Sequence, residues 1–558
     1  MSTIAQELAL LNNTKHDISN VLADAGIEVP HAFADYADVI SANIGPIVED
    51  TSDVIFIDYD GTEITSYSFE EAAALTALPE YPAEISGYGS GYTLVNEGWN
   101  YTLSEVTAAA ANEQKIIVGC TYKTSDGATR FHITVPNDDP YIKLAFSQLT
   151  ASSLFMEWGD GNSMVVGSVT PMTRNHTYPS GGDYTIKISQ ASAYANKTTL
   201  VLGGNLGGSG AVNNNLKIKS IELGNVATIS NYTFNGCDHI SALSIPSATT
   251  IGSYALNSMV KLKAFVIPRG MTSVSQYMMS YDPNLKKVSI PTTVTSIGQY
   301  GFMGCASLDA LYLYNVAEIG DYSFKSCGNL HEIAIPNVTK IPFHGFDGCA
   351  ALSSISANIS ELMGYAFINC PSLTSIGTNP ITNFGSGSYV FSYSYNISEI
   401  GELRIPANSD NSNKPTIGVN CFQECKSLRS ITVKPDDSTN ELQILANAFN
   451  NSGIRLYDFS SCTKVPTLSS TNAFASNPVK DKKILIPSAL SATWPTAGNW
   501  AALHYPILSE LQEFDTTSSY AVGDYCIHDT YYYRCKTATS GNWNSSRWEE
   551  CQGVFVLV

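Results

Sequence analysis

From Leu216 to about residue 490, one unit of 21–25 residues recurs in the chain, occasionally lengthened. A Phe-like residue opens a fixed register: Phe234, Leu256, Met279, Phe302, Phe324, Phe346, Phe367, Phe391, Phe422, Phe449 and Phe474. Three residues later stands a second column of Cys237, Met259, Asp282, Cys305, Cys327, Cys349, Cys370, Ser394, Cys425, Ser452 and Asn477. A third column follows three residues further on: Ile240, Leu262, Leu285, Leu308, Leu330, Leu352, Leu373, Ile397 and Leu428. Short strands ending in Ile-Pro come next (LSIP, FVIP, VSIP, IAIP, LRIP, ILIP), and an Ile-Gly-x-Tyr element, as in Ile297 to Tyr300, leads into the next Phe. A unit this small cannot bury its own apolar face; stacked on neighbours it can. The spacing therefore predicts one elongated solenoid over 216–490, closed by a cap to residue 506, with the Phe and Cys columns running through its interior. The overall fold class predicted is mainly β and multidomain.

Six of the twelve Cys residues occupy the second column. A zinc site needs paired ligands at close spacing, and none is evident. The reading is a ladder of buried free thiols acting as small hydrophobes. The wider spacings through 370, 394 and 425 indicate loop insertions. The repeat resembles the BspA-like leucine-rich repeats of bacterial surface proteins and parasite antigens, across about half the chain.

The N-terminal 48 residues read as a helical docking or oligomerisation element. Ile4, Leu8, Leu11, Lys15, Ile18 and Leu22 form one seam, Gly26 and Pro30 a stop, and Phe33, Tyr36, Ala37, Ile40 and Ile44 a second helix. The start lacks a basic region followed by an apolar run, so no secretory signal is expected, and no apolar stretch approaches the roughly 20 residues of a membrane span. Folding in the cytoplasm without membrane insertion is the expectation.

VIFIDYDGT places Asp58 and Asp60 after an apolar strand and looks like the opening of haloacid-dehalogenase phosphatases. The reading is declined, because 116–188 shows strands separated by turns rather than alternating strands and helices. Residues 49–112, with IDYDGTEITSYSFEEAAALTALPEYP and EGWNYTL, resemble an α+β segment of phage and prophage tail proteins. Residues 113–200, with MEWGDGN, NHTY and GGDYTIKI, resemble polycystic-kidney-disease (PKD) type β-sandwiches, which implies a spacer or weak binder. Trp158 stands closer to Gly159 than in many of those domains. The Gly/Asn-rich stretch 201–215 reads as a hinge-like linker.

Residues 507–558 form a small aromatic module. Ser519, Tyr520, Gly523, Asp524, Tyr533, Cys535 and Trp548 resemble carbohydrate-binding families 5 and 12, but Thr537-Ala538-Thr539 stands where typical chitin binders carry paired Trp residues. Strand alternation makes Tyr533 and Trp548 core, and Tyr531 and Trp543 exposed platforms; Tyr520, Tyr531 and Trp543 are the candidate glycan-binding residues.

With 30 Lys and Arg against 50 Asp and Glu, the chain carries a net charge of −20, which makes nucleic acid a poor partner. No catalytic constellation, metal site or cofactor motif is evident, so the chain reads as a non-enzyme. The leading reading is a virion tail component, a fibre tip or receptor-binding protein, made in the host cytoplasm and acting outside after lysis. Its implied partners are a host-surface polysaccharide or protein, other tail or baseplate proteins at the N-terminal region, and a second and third copy of itself. The alternative is a BspA-like surface adhesin; a polysaccharide-degrading enzyme would need a carboxylate pair that no motif locates.

Overall fold

The computed structural model describes residues 53–81, 85–87, 91–148, 154–166, 172–190, 200–202, 217–382, 384, 388–405, 416–435, 442–475 and 482–558. The helical element expected over 1–48 lies outside them. The described chain is mainly β.

The first part is an α+β layer. Its elements are β1 (Val54–Ile57), β2 (Glu63–Tyr67), α1 (Phe69–Ala73), β3 (Ile85–Ser86), β4 (Thr93–Trp99), α2 (Leu103–Ala111) and β5 (Ile116–Thr124), with sheet order β2-β1-β5-β4-β3. Each helix starts at a capping box, Ser68 with Glu71 and Thr102 with Glu105, which satisfies backbone donors that the first turn leaves open. Strand β1 runs parallel to β5. Its unbroken apolar sequence has a physical cause: both faces are covered. Val54 and Phe56 pack with Trp99 and Val106, while Ile57 joins Ile117 and Val266 of the solenoid. Ile116–Thr124 is thus the central strand of this layer rather than the first strand of the following domain, and the boundary expected at 112 moves to the turn at 125–128.

The next elements are β6 (Thr129–Val135), β7 (Tyr141–Gln148), β8 (Leu154–Glu157), β9 (Ser163–Val166), β10 (Met172–Thr177), β11 (Gly182–Gln190), β12 (Leu200–Leu202), β13 (Ile218–Glu222) and β14 (Val226–Ile229). They make two sheets, β13-β6-β11-β8-β9 and β10-β7-β12-β14, the second continuing into Thr250–Ile251. Strand β12 pairs antiparallel with β7 and parallel with β14, so it belongs at once to the two-sheet layer and to the first solenoid coil. The hinge expected from 201 therefore begins inside a sheet. One continuous core runs from Phe131 to Phe555.

The solenoid has three walls. One carries parallel strands in register, such as Ala310–Tyr312, Glu332–Ile335 and Ser354–Ala357. A second has two-residue strands: Ser273–Val274, Ser296–Ile297 and Glu318–Ile319. The third is built of turns, and alternate amides reach the next coil there: Phe302 N to Ser323 O at 2.9 Å and Phe324 N to Gly345 O at 3.0 Å. Inside, the Phe column from Phe234 to Phe449 is fully buried and its phenyl rings stack at 5.3–5.7 Å. The thiol column is buried too, and five of its thiols donate to a carbonyl of the preceding coil: Cys305 to Met279 O, Cys327 to Phe302 O, Cys349 to Phe324 O, Cys370 to Phe346 O and Cys425 to Phe391 O, at 2.9–3.2 Å. Ser394 makes the same bond to Phe367 O at 2.6 Å, which explains why serine can share the column. Asn477 lies outside the described residues.

The far end is closed by one further strand. Gly553–Leu557 adds in parallel to Lys482–Ile486, as the last strand of the sheet that also holds Leu403–Ile405, Ser430–Pro435 and Leu456–Asp458. Phe555 N then donates to Pro506 O at 2.8 Å. Trp494 and Trp500 plug the last coil against Phe459, Phe474 and Phe555, with Trp500 Nε1 donating to Pro466 O. The module read over 507–558 does not stand after the solenoid but is an insertion between two of its strands, and the last of these, Gly553–Leu557, belongs to the solenoid sheet. GVFVL is apolar because it covers the last coil.

Candidate functional site

The inserted module has a three-stranded antiparallel sheet, Tyr525–His528, Tyr531–Cys535 and Trp548–Glu550, and a small ladder of Ser519–Tyr520 with Thr539–Ser540. Asp529 and Thr530, both at positive φ, make the two-residue turn of the first hairpin. Cys526, Cys535 and Trp548 are buried, with Phe514, Tyr520, Tyr533 and Trp543 packed around them.

The three candidate residues part company here. Tyr531, at the hairpin end, is 47% exposed. Tyr520 is half-buried; its ring lies on Phe514 and against Trp548, and its hydroxyl accepts from Asp515 N at 2.7 Å. Trp543 is not the open platform expected. Its ring stacks on His528 at 3.9 Å and lies near-parallel to Trp548 at 5.3 Å, with Phe514 and Tyr533 edge-on. Strand alternation failed at this residue because it sits in a loop whose side chain folds back onto the sheet.

Tyr520 instead borders an open polar groove of about 510 Å³ with Ser519, Ala538, Thr539, Ser540, Asn542, Asn544 and Arg547. The groove runs along Ala538 and Thr539 of the Thr537-Ala538-Thr539 segment. Arg547 donates to Ala538 O at 2.8 Å, which holds its guanidinium at the groove wall. Hydroxyls, amides and one guanidinium, with no carboxylate among the lining side chains, suit a hydroxyl-rich or anionic ligand. Asn542, Asn544 and Arg547 carried no motif and were missed in the sequence.

A second surface runs along the turn wall of the solenoid. Two residues before each Phe-column position stand Tyr232, Tyr254, Tyr277, Tyr300, Tyr322, His344, Tyr365 and Tyr389, stacked at 4.1–4.9 Å with planes within 8–14°. All eight have φ between 54° and 62°, a region that L residues seldom occupy and in which Asn and His are enriched. His344, Asn420 and Asn447 in the same column fit that preference. Within the stack each ring's faces are taken by its neighbours, so the ladder offers edges and hydroxyls rather than the open faces on which sugars stack.

The acidic residues of VIFIDYDGT make a hairpin turn. Asp58 O accepts from Gly61 N, and Asp60 Oδ1 accepts from Thr62 N at 2.8 Å. Burial raises the Asp58 carboxyl, which accepts from Tyr59 N and Cys120 Sγ. Asp160, in the turn between β8 and β9, is paired with His176 Nε2 of the other sheet at 2.6 Å. Among the described residues no three His, Cys, Asp or Glu side chains gather as metal ligands.

A family model described as the BspA type leucine-rich repeat region matches at 206–331, 272–398, 317–455 and 403–480. The solenoid is a BspA-type leucine-rich repeat region. Among solved structures the chain is similar to a leucine-rich repeat protein from Bacteroides ovatus, at 21% identity over 48% of this chain and 72% of that one, with a TM-score of 0.33. It is also similar to a leucine rich cell surface protein from Faecalibacterium prausnitzii, at 23% identity over 46% and 73%, TM-score 0.27. A T. pallidum leucine-rich repeat protein matches at 16% identity over 45% and 84%, TM-score 0.20. No curated protein matches. The BspA-type repeats account for the middle of the chain; the α+β layer, the two-sheet layer and the inserted module lie outside the matched segments, apart from the strands β13 and β14 that open the first coil.

Proposed function

We propose that the protein is a non-enzymatic surface adhesin in which the BspA-type solenoid is the rigid body and the inserted module makes the contact. The observation that supports this most is the polar groove beside Tyr520, held at the end of the solenoid by strands on both sides of the insertion. Its partner is a cell-surface polysaccharide, with a protein receptor as the other class. One weak groove per chain makes useful attachment depend on several copies, in a homo-oligomer such as a trimer or on a densely coated surface. The test is retention of the full-length protein on insoluble glycans and whole cells. Arg547→Glu and Asn542→Ala are expected to lower retention several-fold, and Tyr531→Ala to lower it less. Equal retention by all variants would move recognition to the solenoid.

The resemblance of 49–112 to tail proteins supports a second reading with the same binding chemistry, a virion tail component docked through its N-terminal region. Immunogold labelling separates them: label on the cell envelope supports the adhesin, label on purified phage particles the tail protein.

A further inference from the structure

We infer that the cleft between α2 and the strand wall of the solenoid is a binding site for a single uncharged sugar ring, independent of the module groove. The α+β layer is tied to the solenoid on two sides of this cleft. On one side Glu105 binds Arg269 and Thr292, and the Tyr101 hydroxyl donates to Ile290 O. On the other, Lys115 meets Glu332 at 3.5 Å. Between these ties the surfaces do not close, and a cavity of about 190 Å³ remains. Beside Glu105 the helix offers the small side chains of Ala108 and Ala109 there, and the wall adds Tyr312 and Tyr314, two residues apart on one side of their strand segment.

The lining chemistry selects the ligand. Among the lining residues Glu105 is the one with a charge, and Arg269 already neutralises it. A charged ligand would therefore be buried without a counter-charge. What remains is amphipathic: phenol rings and the side chains of Ile116, Ile290 and Val294 for C–H faces, and the amides of Asn112 and Gln114 for hydroxyls. Asn112 Nδ2 is committed to Ala108 O at 2.7 Å, which leaves its Oδ1 as an acceptor. Burial and the nearby Glu332 push the Tyr314 hydroxyl up to about 12, so it stays a donor at neutral pH. Cavities for drug-sized ligands span roughly 300–1,000 Å³, so this one takes a single ring rather than an oligosaccharide.

The experiment is saturation-transfer NMR and calorimetry on the full-length protein, with methyl glucoside, methyl galactoside, methyl mannoside and N-acetylglucosamine as probes. At least one probe is expected to bind the parent protein. Ala108→Phe, which fills the cleft, should weaken it at least about tenfold, equivalent to ~1.4 kcal/mol. Tyr314→Phe, which removes one hydroxyl and little volume, should weaken it several-fold and decides the matter if Ala108→Phe fails to fold. Arg547→Glu should leave it unchanged. Absence of binding by every probe, binding indifferent to both cleft variants, or loss only in Arg547→Glu overturns the inference; that last result would place the sugar in the module groove instead.

Discussion

The solenoid carries two columns of stacked rings, and they are held by different forces. The Phe column is sealed from water, with centroids 5.3–5.7 Å apart, and its rings touch aliphatic neighbours as well as each other. The Tyr column stands half in solvent, packs more tightly at 4.1–4.9 Å, and does so at backbone angles that disfavour any side chain. Hydrophobic burial is enough to explain the first. In the second, ring–ring contact offsets a left-handed backbone that costs roughly 1–2 kcal/mol per residue. One column makes the coil fold; the other fixes how successive coils sit on one another.

The largest effect expected tests the interior column. Phe324→Asp should abolish cooperative unfolding of the array, because an unpaired charge would be buried between two coils, and Phe324→Ala should cost about 3–5 kcal/mol. Denaturant melts read both, and an unchanged midpoint would break the comparison at its base.

Tyr300 gives the next test, and its sign is unusual. Tyr300→Ala loses two ring contacts and keeps the strained φ; Tyr300→Gly loses the same contacts and relieves the strain. Ala should cost about 1–3 kcal/mol, and Gly should be the more stable of the two variants, the reverse of the usual order. If Ala melts higher than Gly, the backbone account of the Tyr column is wrong.

Asp282 sharpens the contrast within the interior. It accepts from Met259 N at 2.7 Å, but its Oδ2 has no partner, and burial raises its carboxyl well above the usual range. The unfolded carboxyl ionises near pH ~4, while the folded one remains protonated, so rising pH favours the unfolded chain until the folded carboxyl also ionises. Asp282→Ser, the solution the same column uses at Ser394, should therefore stabilise by roughly 1–3 kcal/mol at neutral pH. Its advantage should shrink as pH falls towards ~4. A constant difference across that window would mean the aspartate is not held neutral.

The smallest effect concerns the thiols. Burial pushes the Cys327 thiol up to about 12, and Cys349 is raised likewise. Cys349→Ser should shift stability by less than about 1 kcal/mol, since serine already makes the same bond in this column. Maleimide should label none of the column thiols before global unfolding. Rapid native labelling would show coils that open locally.

Much of this was legible in the chain. The three interior columns were readable because each coil meets its neighbour at one repeat period, so the same contact is written many times over. The Tyr column was half-readable: Ile-Gly-x-Tyr marks Tyr300 and Tyr322, but His344, Asn420 and Asn447 follow a backbone preference that residue likeness does not reveal. In the module, Trp548 fell in the core as its strand pattern implies, and Tyr533 is half-buried against it. Trp543 did not follow, because loop residues have no alternation to read.

The periodicity by itself determined the solenoid, its interior and its inside-to-outside order, since those depend on contacts repeated every 21–25 residues. Tertiary structure alone decided where the other parts went. Asn100 donates to Ile267 O and Ser289 O, partners 167 and 189 residues away, and Gly553–Leu557 closes a sheet whose previous strand ends at Ile486. Such contacts occur once, between segments whose apolar patterns would suit many partners. Only the assembled surfaces, with one exposed strand wall and one open last coil to cover, select among them.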